Sequence, residues 1–182
     1  MKVHHLCLLY IIVLLLSPKR YISFLPTIPI YPDNLRESLT VQRYTENMTP
    51  YYRDLFTLTD PSVSYAFAQI VPKSVKELDD IILQPNVRFP ILFFKYTINR
   101  CRPKQMYPEI RILKSETADT PAYPSGHAYQ AYVLATRLSE NYPEKRDTLW
   151  KLADDCALAR VYAGLHYPSD NNFSKTLVKI LY

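Results

Sequence analysis

Three short segments of the sequence gather residue types that do chemistry. They are Lys95 to Arg102-Pro103, Pro124-Ser125-Gly126-His127, and Arg160 through Gly164 and His166 to Asp170. The chain holds two glycines, Gly126 and Gly164, and four histidines, His4, His5, His127 and His166. Beyond the N-terminal leader, every one of them falls in the second or third segment. A chain this poor in glycine keeps it where the backbone needs special freedom or must approach something closely. In the second segment, Pro124 and Ser125 end a loop, and an amphipathic helix follows with Gly126 and His127 in its first turn. The unpaired N–H groups of a helix start suit an anion, Gly126 lets the backbone come near it, and Ser125 can cap the helix or donate its hydroxyl. In the third segment, a carboxylate near an imidazole fixes the ring's tautomer and stabilises its cation, which leaves the other nitrogen to attack. In the first, Lys95 and Arg102 are two cations able to bend toward one point.

Each segment alone has an ordinary structural explanation: helix capping, a satisfied core histidine with Asp170 as a helix-start charge, and basic residues near a helix C-terminus. Together they supply three cations, a helix N-terminus, two imidazoles and one carboxylate. That inventory fits phosphoryl transfer, whose transition state spreads negative charge over three equatorial oxygens that cations and N–H donors can hold. The planar guanidinium grips two oxygens at once. One histidine can serve as nucleophile and the other as proton donor. No carboxylate cluster or His/Cys ligand set accompanies them in the sequence, so the expected mechanism uses no metal and no cofactor.

The elements that must position these residues are helices. From about residue 51 the apolar spacing is helical and predicts helices over roughly 51–69, 73–84, 89–100, 126–141, 145–165 and 169–181, punctuated by proline. Strand alternation is weak, so the expected fold is all-α, a single-domain helical bundle spanning 51–182. Residues 21–50, with Pro26, Pro29, Pro32 and Pro50, predict an extended connector. Residues 6–16 (LCLLYIIVLLL) form an apolar run suited to a signal peptide or signal anchor within 1–20. The chain is thereby expected in the secretory pathway, secreted or held at a membrane through 6–16. No second apolar run is long enough for a multi-span protein.

The 182 residues are 48% apolar, 21% charged and 13% aromatic, which suits one compact domain and excludes a wholly disordered chain. The net charge is +5, but Lys2, Lys19 and Arg20 account for three of those charges, and +2 remains over 21–182. That is no nucleic-acid footprint. Cys101 and Cys156 are read as free, partly buried thiols. Asp154 and Asp155 are read as a solvated helix face, and Tyr123 and Tyr167 as residues at a pocket mouth.

Taken together, Lys95-x6-Arg102-Pro103, Pro124-Ser125-Gly126-His127 and Arg160-x5-His166-x3-Asp170 resemble the tripartite signature of the type 2 phosphatidic acid phosphatase superfamily. That group includes class A acid phosphatases, which are the nearest in type, lipid phosphate phosphatases and vanadium haloperoxidases. The resemblance implies that Lys95, Arg102 and Arg160 bind the phosphoryl oxygens, with help from Ser125 and the Gly126 N–H. It implies that His166 attacks phosphorus and becomes phosphohistidine, that Asp170 orients it, and that His127 protonates the leaving oxygen and later activates water. Ala159 stands where the family usually has Ser, and twelve residues follow Asp170 where a longer small-residue helix is usual, which implies a less firmly supported site and weaker activity. The expected function is hydrolysis of phosphate monoesters, on a phosphorylated small molecule or a lipid phosphate. Vanadate-dependent haloperoxidation and non-catalytic phosphate binding are the alternatives.

Overall fold

The computed structural model describes residues 31–182; the apolar run at 6–16 and the first part of the 21–50 segment lie outside them. Helices make up 68% of the described residues, and no strand occurs among them, so the fold is the expected all-α bundle. In chain order the helices are α1 (Asn34–Glu46), α2 (Pro50–Thr59), α3 (Ser64–Phe67), α4 (Val75–Ile82), α5 (Pro85–Ile98), α6 (Pro103–Met106), α7 (Gly126–Asn141), α8 (Arg146–Tyr162) and α9 (Pro168–Leu181), with a 3-10 turn at Pro143–Lys145 before α8. Among the described residues no helix is long and apolar enough to cross a membrane.

The expected extended connector is corrected by α1. Its prolines mark boundaries: Pro32 precedes the helix, and Pro50 opens α2 at its first position. Between them runs a proline-free stretch that Asp33 caps by accepting the Arg36 N–H at 2.8 Å. The predicted 51–69 helix is broken after Asp60 by Pro61, whose ring cannot continue a helix. The α5 helix starts earlier than its spacing suggested and carries Pro90 inside it. Proline has no N–H for the Asn86 carbonyl one turn back, and that carbonyl accepts the Tyr182 hydroxyl at 3.5 Å.

The core is built on α7 lying along α8, with α9 against α7 and α2 against α8. Ala128, Ala131 and Ala135 of α7 and Ala153, Ala157 and Ala159 of α8 are buried, and such small residues let helix axes approach closely. Ala159 is thus filled by packing in the main core. Asp155 departs from its expected solvated position: it is 9% exposed and accepts the hydroxyls of Tyr51 at 2.8 Å and Tyr52 at 3.3 Å. The packing of α2 on α8 buries it, whereas Asp154 stays exposed and pairs with Lys175. Cys101 and Cys156 are free and buried.

The end of α8 fixes the third segment. Leu165 N–H bonds back to the Arg160 carbonyl at 3.1 Å and Gly164 N–H to the Val161 carbonyl at 2.9 Å, the pattern of a Schellman cap. Gly164 has a φ of 75°, and a Cβ there would lie 2.9 Å from the Arg111 carbonyl oxygen. Gly164→Ala is therefore expected to destabilise the protein by about 1–2 kcal/mol from backbone conformation alone, and further from the clash. Denaturant unfolding measures it.

Candidate active site

The three chemical segments meet where helix ends meet. Helix α5 stops at Asn99, which takes the left-handed conformation (φ 52°) while its N–H bonds the Lys95 carbonyl at 2.8 Å. That turn sends the chain back across the helix end, with Arg102 extended just ahead of Pro103 at the start of α6. Ser125 caps α7 by accepting the Ala128 N–H at 3.4 Å. A Cβ on Gly126 would lie 3.9 Å from Lys95 Cε, so the start of α7 adjoins the end of α5. Arg160 occupies the last turn of α8, His166 the linker after its cap, and Asp170 the third position of α9.

His166 is 2% exposed. Arg102 Nη1 donates toward its Nε2 at 3.1 Å. Since a guanidinium only donates, Nε2 is the bare nitrogen, and Nδ1–H then donates to Asp170 Oδ2 at 3.1 Å. This is the tautomer a nucleophilic imidazole needs. Arg102 is also held by the Leu165 carbonyl at 2.7 Å and the Thr120 carbonyl at 2.8 and 3.0 Å. Lys95 donates to the Pro121 carbonyl. His127 Nε2 lies 3.0 Å from the Asp60 carbonyl, which makes Nε2–H the donor. Arg160 Nη1 reaches Asp60 Oδ1 at 2.6 Å, but its buried Nε has no hydrogen-bond partner among the described residues.

Electrostatics set the resting state. Burial pushes the Lys95 ammonium well below its usual range, and the neighbouring Arg102 guanidinium adds to this. Burial likewise pushes both imidazoles down, helped by Arg102 and Lys95 at His166 and by Arg160 at His127, which falls to about 3. Both rings are neutral near pH 7. Burial pushes the Asp170 carboxyl up, to about 6, while Arg100 pulls it down. The cradle is thus short of negative charge, which is the condition for taking up an anion.

Sequence reasoning missed four residues that complete this cluster: Asp60, Ser115, Arg100 and Glu37. Asp60 holds Arg160 with its carboxylate and His127 with its carbonyl, and Ser115 donates to the same carboxylate at 2.6 Å. The break before Pro61, once recognised, marks it. Arg100 is fully buried and pairs with Asp170 at 2.6 Å and with Glu37 of α1 at 2.8 Å. It lies inside the Lys95-x6-Arg102 spacer, and nothing in the spacing singles it out. Tyr123 and Tyr167, expected at a pocket mouth, are instead buried, 1% and 0% exposed. Tyr167 stacks on the Arg100 guanidinium, 3.7 Å from the ring centre, so these rings pack behind the site rather than in front of it.

A cavity borders the cluster on the His127 side. About 370 Å³ in volume, it is lined by Gly126 and His127, by the aliphatic Ile82, Leu83, Ile91 and Leu92, and by polar groups that include Arg88 and Gln130. Among the described residues no group of three or more His, Cys, Asp or Glu side chains is placed to hold a metal ion. Comparison with curated proteins gave no match to the chain. Residues 62–177 do match a known family, over a stretch running from α3 into α9 that contains all three chemical segments. With that match covering more than half of its length, the chain belongs to the PAP2 superfamily.

Proposed function

We propose that this protein hydrolyses phosphate monoesters, lipid phosphates among the substrates, without a metal and through a phosphohistidine on His166. Membership in the PAP2 superfamily supports phosphatase-type chemistry in general. The observation that carries the finer reading is the bare Nε2 of His166 facing Arg102 Nη1, with buried Lys95 and Arg160 near enough to act on the same imidazole electrostatically and Arg160 Nε unpaired among the described residues. A phosphoryl group would satisfy Arg160 Nε, draw Arg102 Nη1 away from the imidazole lone pair and neutralise the excess positive charge.

In the first step the Nε2 lone pair forms the N–P bond as the bond from phosphorus to the leaving oxygen breaks. Protonated His127, whose Nε2–H stays on the Asp60 carbonyl, gives its Nδ1 proton to that oxygen, and the organic half of the substrate occupies the cavity that His127 lines. The negative charge of the bound phosphoryl group favours the protonated imidazole of His127, which burial otherwise keeps neutral. In the second step His127 takes a proton from water as its oxygen bonds phosphorus and the N–P bond breaks, and inorganic phosphate leaves. Asp170, hydrogen-bonded to Nδ1–H, stabilises the cationic character of His166 while it carries phosphorus. The apolar run at 6–16 supports delivery into the secretory route, as a secreted or N-terminally tethered enzyme.

The test is hydrolysis of a chromogenic phosphate ester in EDTA, beside His166→Ala. Turnover that survives chelation and vanishes in the variant is expected. Loss in EDTA alone would overturn the metal-free reading, and phosphate binding without turnover would leave a non-catalytic anion-binding relative. Gly126→Ala separates fold from site. Its Cβ would meet Ile91 and Lys95 at ordinary distances, 3.6 and 3.9 Å. The protein is expected to fold with stability within about 1 kcal/mol, while turnover falls roughly 10–100-fold because the bound group is displaced from the helix start.

A further inference from the structure

Behind His166 a continuous chain of buried charges runs through Asp170 and Arg100 to Glu37 of α1. Asp170 uses Oδ2 for His166 Nδ1–H and for the Tyr167 N–H at 2.9 Å, and Oδ1 for Arg100 Nη1 at 2.6 Å. The Arg100 guanidinium is held on every side. Its Nη1 also reaches Ser169 Oγ at 2.7 Å, its Nη2 reaches Glu37 Oε2 at 2.8 Å, and its Nε reaches Asn34 Oδ1 at 2.9 Å. Tyr31 and Tyr167 cover it, 3.9 and 3.7 Å from the ring centres. Glu37 in turn accepts the Ser169 N–H at 2.8 Å and the Ser169 hydroxyl at 2.6 Å, so a carboxylate from α1 caps the first turn of α9, where Asp170 sits.

We propose that Arg100 and Glu37 are positioning residues for the nucleophile, Arg100 keeping Asp170 ionised and aimed at His166 Nδ1 while Glu37 fixes the guanidinium and limits how much of its charge Asp170 receives. The inference rests on the reading of His166 as the nucleophile. The geometry argues for more than packing. A buried arginine with one carboxylate partner would hold that carboxylate as strongly as it can, yet here it is divided between two. The arrangement therefore sets a balance, and each partner moves it in an opposite direction. Loss of the Arg100 charge leaves Asp170 buried among few opposing charges and favours its neutral form. Loss of the Glu37 charge gives Asp170 a larger share of Arg100 and favours its ionised form. The other charged and titratable groups facing Asp170 are Lys95 from α5, His166 and Tyr167 from the linker before α9, Tyr123 from the loop before α7, and Cys101 beside Arg100. All are unchanged in the variants below, so a shift reports on Arg100 and Glu37.

The experiment compares the pH profile of phosphate-ester turnover in wild type, Arg100→Gln, Arg100→Lys and Glu37→Gln. In parallel, the low-field proton signal of His166 Nδ1–H is followed by NMR across the same pH range. Arg100→Gln is expected to move the acid limb of the profile upward by about one pH unit or more. Its kcat should fall about 10–100-fold while KM changes little. Glu37→Gln is expected to move the limb downward, and Arg100→Lys to restore its position but not the full kcat, because an ammonium cannot span both carboxylates. The pH at which the Nδ1–H signal is lost should move with the limb. Equal losses of activity with no shift, or shifts in the same direction for Arg100→Gln and Glu37→Gln, would overturn the proposal and leave a structural role. Should Arg100→Gln fail to fold, Glu37→Gln and Arg100→Lys still decide it by the downward and the restored limb. If wild type shows no His166-dependent turnover, the functional reading fails separately. The NMR signal still tests the positioning, and its absence in wild type at neutral pH would overturn it.

Discussion

Replacing His166 by alanine is expected to abolish turnover, with a loss on the order of 10⁴-fold or more for every substrate, because the bare nitrogen that Arg102 faces is the group that attacks phosphorus. Replacing His127 by alanine should behave differently, and the difference is the informative part. A proton donor matters only as much as the leaving oxygen needs a proton. For an alkyl phosphate, which would otherwise expel an alkoxide, His127→Ala is expected to cost about 10²–10⁴-fold. For a nitrophenyl phosphate, whose leaving group departs readily as an anion, the loss should be much smaller. Measuring kcat for the two esters in both variants gives a ratio. A ratio near one for His166→Ala and far from one for His127→Ala assigns nucleophile and acid; equal sensitivity in both variants would remove that assignment.

The second large effect concerns acid. In the folded protein both imidazoles titrate below their ordinary value, His127 at about 3, whereas in the unfolded chain they titrate near 6.5. Between those limits the unfolded chain binds more protons, so stability falls as pH falls, by up to about 1.4 kcal/mol per pH unit for each histidine. Asp170, raised to about 6, works the other way. Its folded form holds the proton more tightly than the unfolded one, so it offsets about one histidine between roughly pH 4 and 6. Lys95, lowered by burial, adds stability as pH rises toward its unfolded value. The ligand-free protein should therefore lose stability steadily below about pH 6.5. Sulfate, a dianion throughout this range, would neutralise the cradle and let the imidazoles protonate in the folded state. Its stabilisation should be larger at pH 5 than at pH 8, with each kcal/mol of difference worth about 2–4 °C in Tm. Thermal melts at both pH values, with and without sulfate, measure it. An equal gain at both would break the link between anion and proton uptake.

What could be read directly from the sequence is what is written locally in it. The 3.6-residue apolar period predicted α7 at residues 126–141, placed α4, α5, α8 and α9 within about four residues, missed α1, and identified an all-α bundle. Proline was less faithful as a guide. Pro32 and Pro50 bracket α1 instead of extending the segment, and Pro61 cut one predicted helix in two, because proline is as much at home at the first position of a helix as in a loop. Gly164 was legible as a position of special conformation, and its positive φ and the carbonyl beside it give the reason.

The candidate site divides the same way. Lys95, Arg102, Ser125, Gly126, His127, Arg160, His166 and Asp170 were visible because each lies at a fixed offset from a proline, a glycine or a neighbour of matching chemistry. Partners at long range have no such offset. Glu37 and Arg100 are 63 residues apart, and Arg160 meets Asp60 across 100. Asp155 looked like one of two solvated acids until α2 packed over it. A charge in sequence carries no statement about its dielectric surroundings or its counter-charge; those exist only once helices distant along the chain exclude water from the space between them. The sequence by itself determined the helices and the groups able to handle a phosphoryl ester. The tertiary structure alone decided which of those groups are buried, which imidazole nitrogen is bare, and how a guanidinium is divided between two carboxylates behind it.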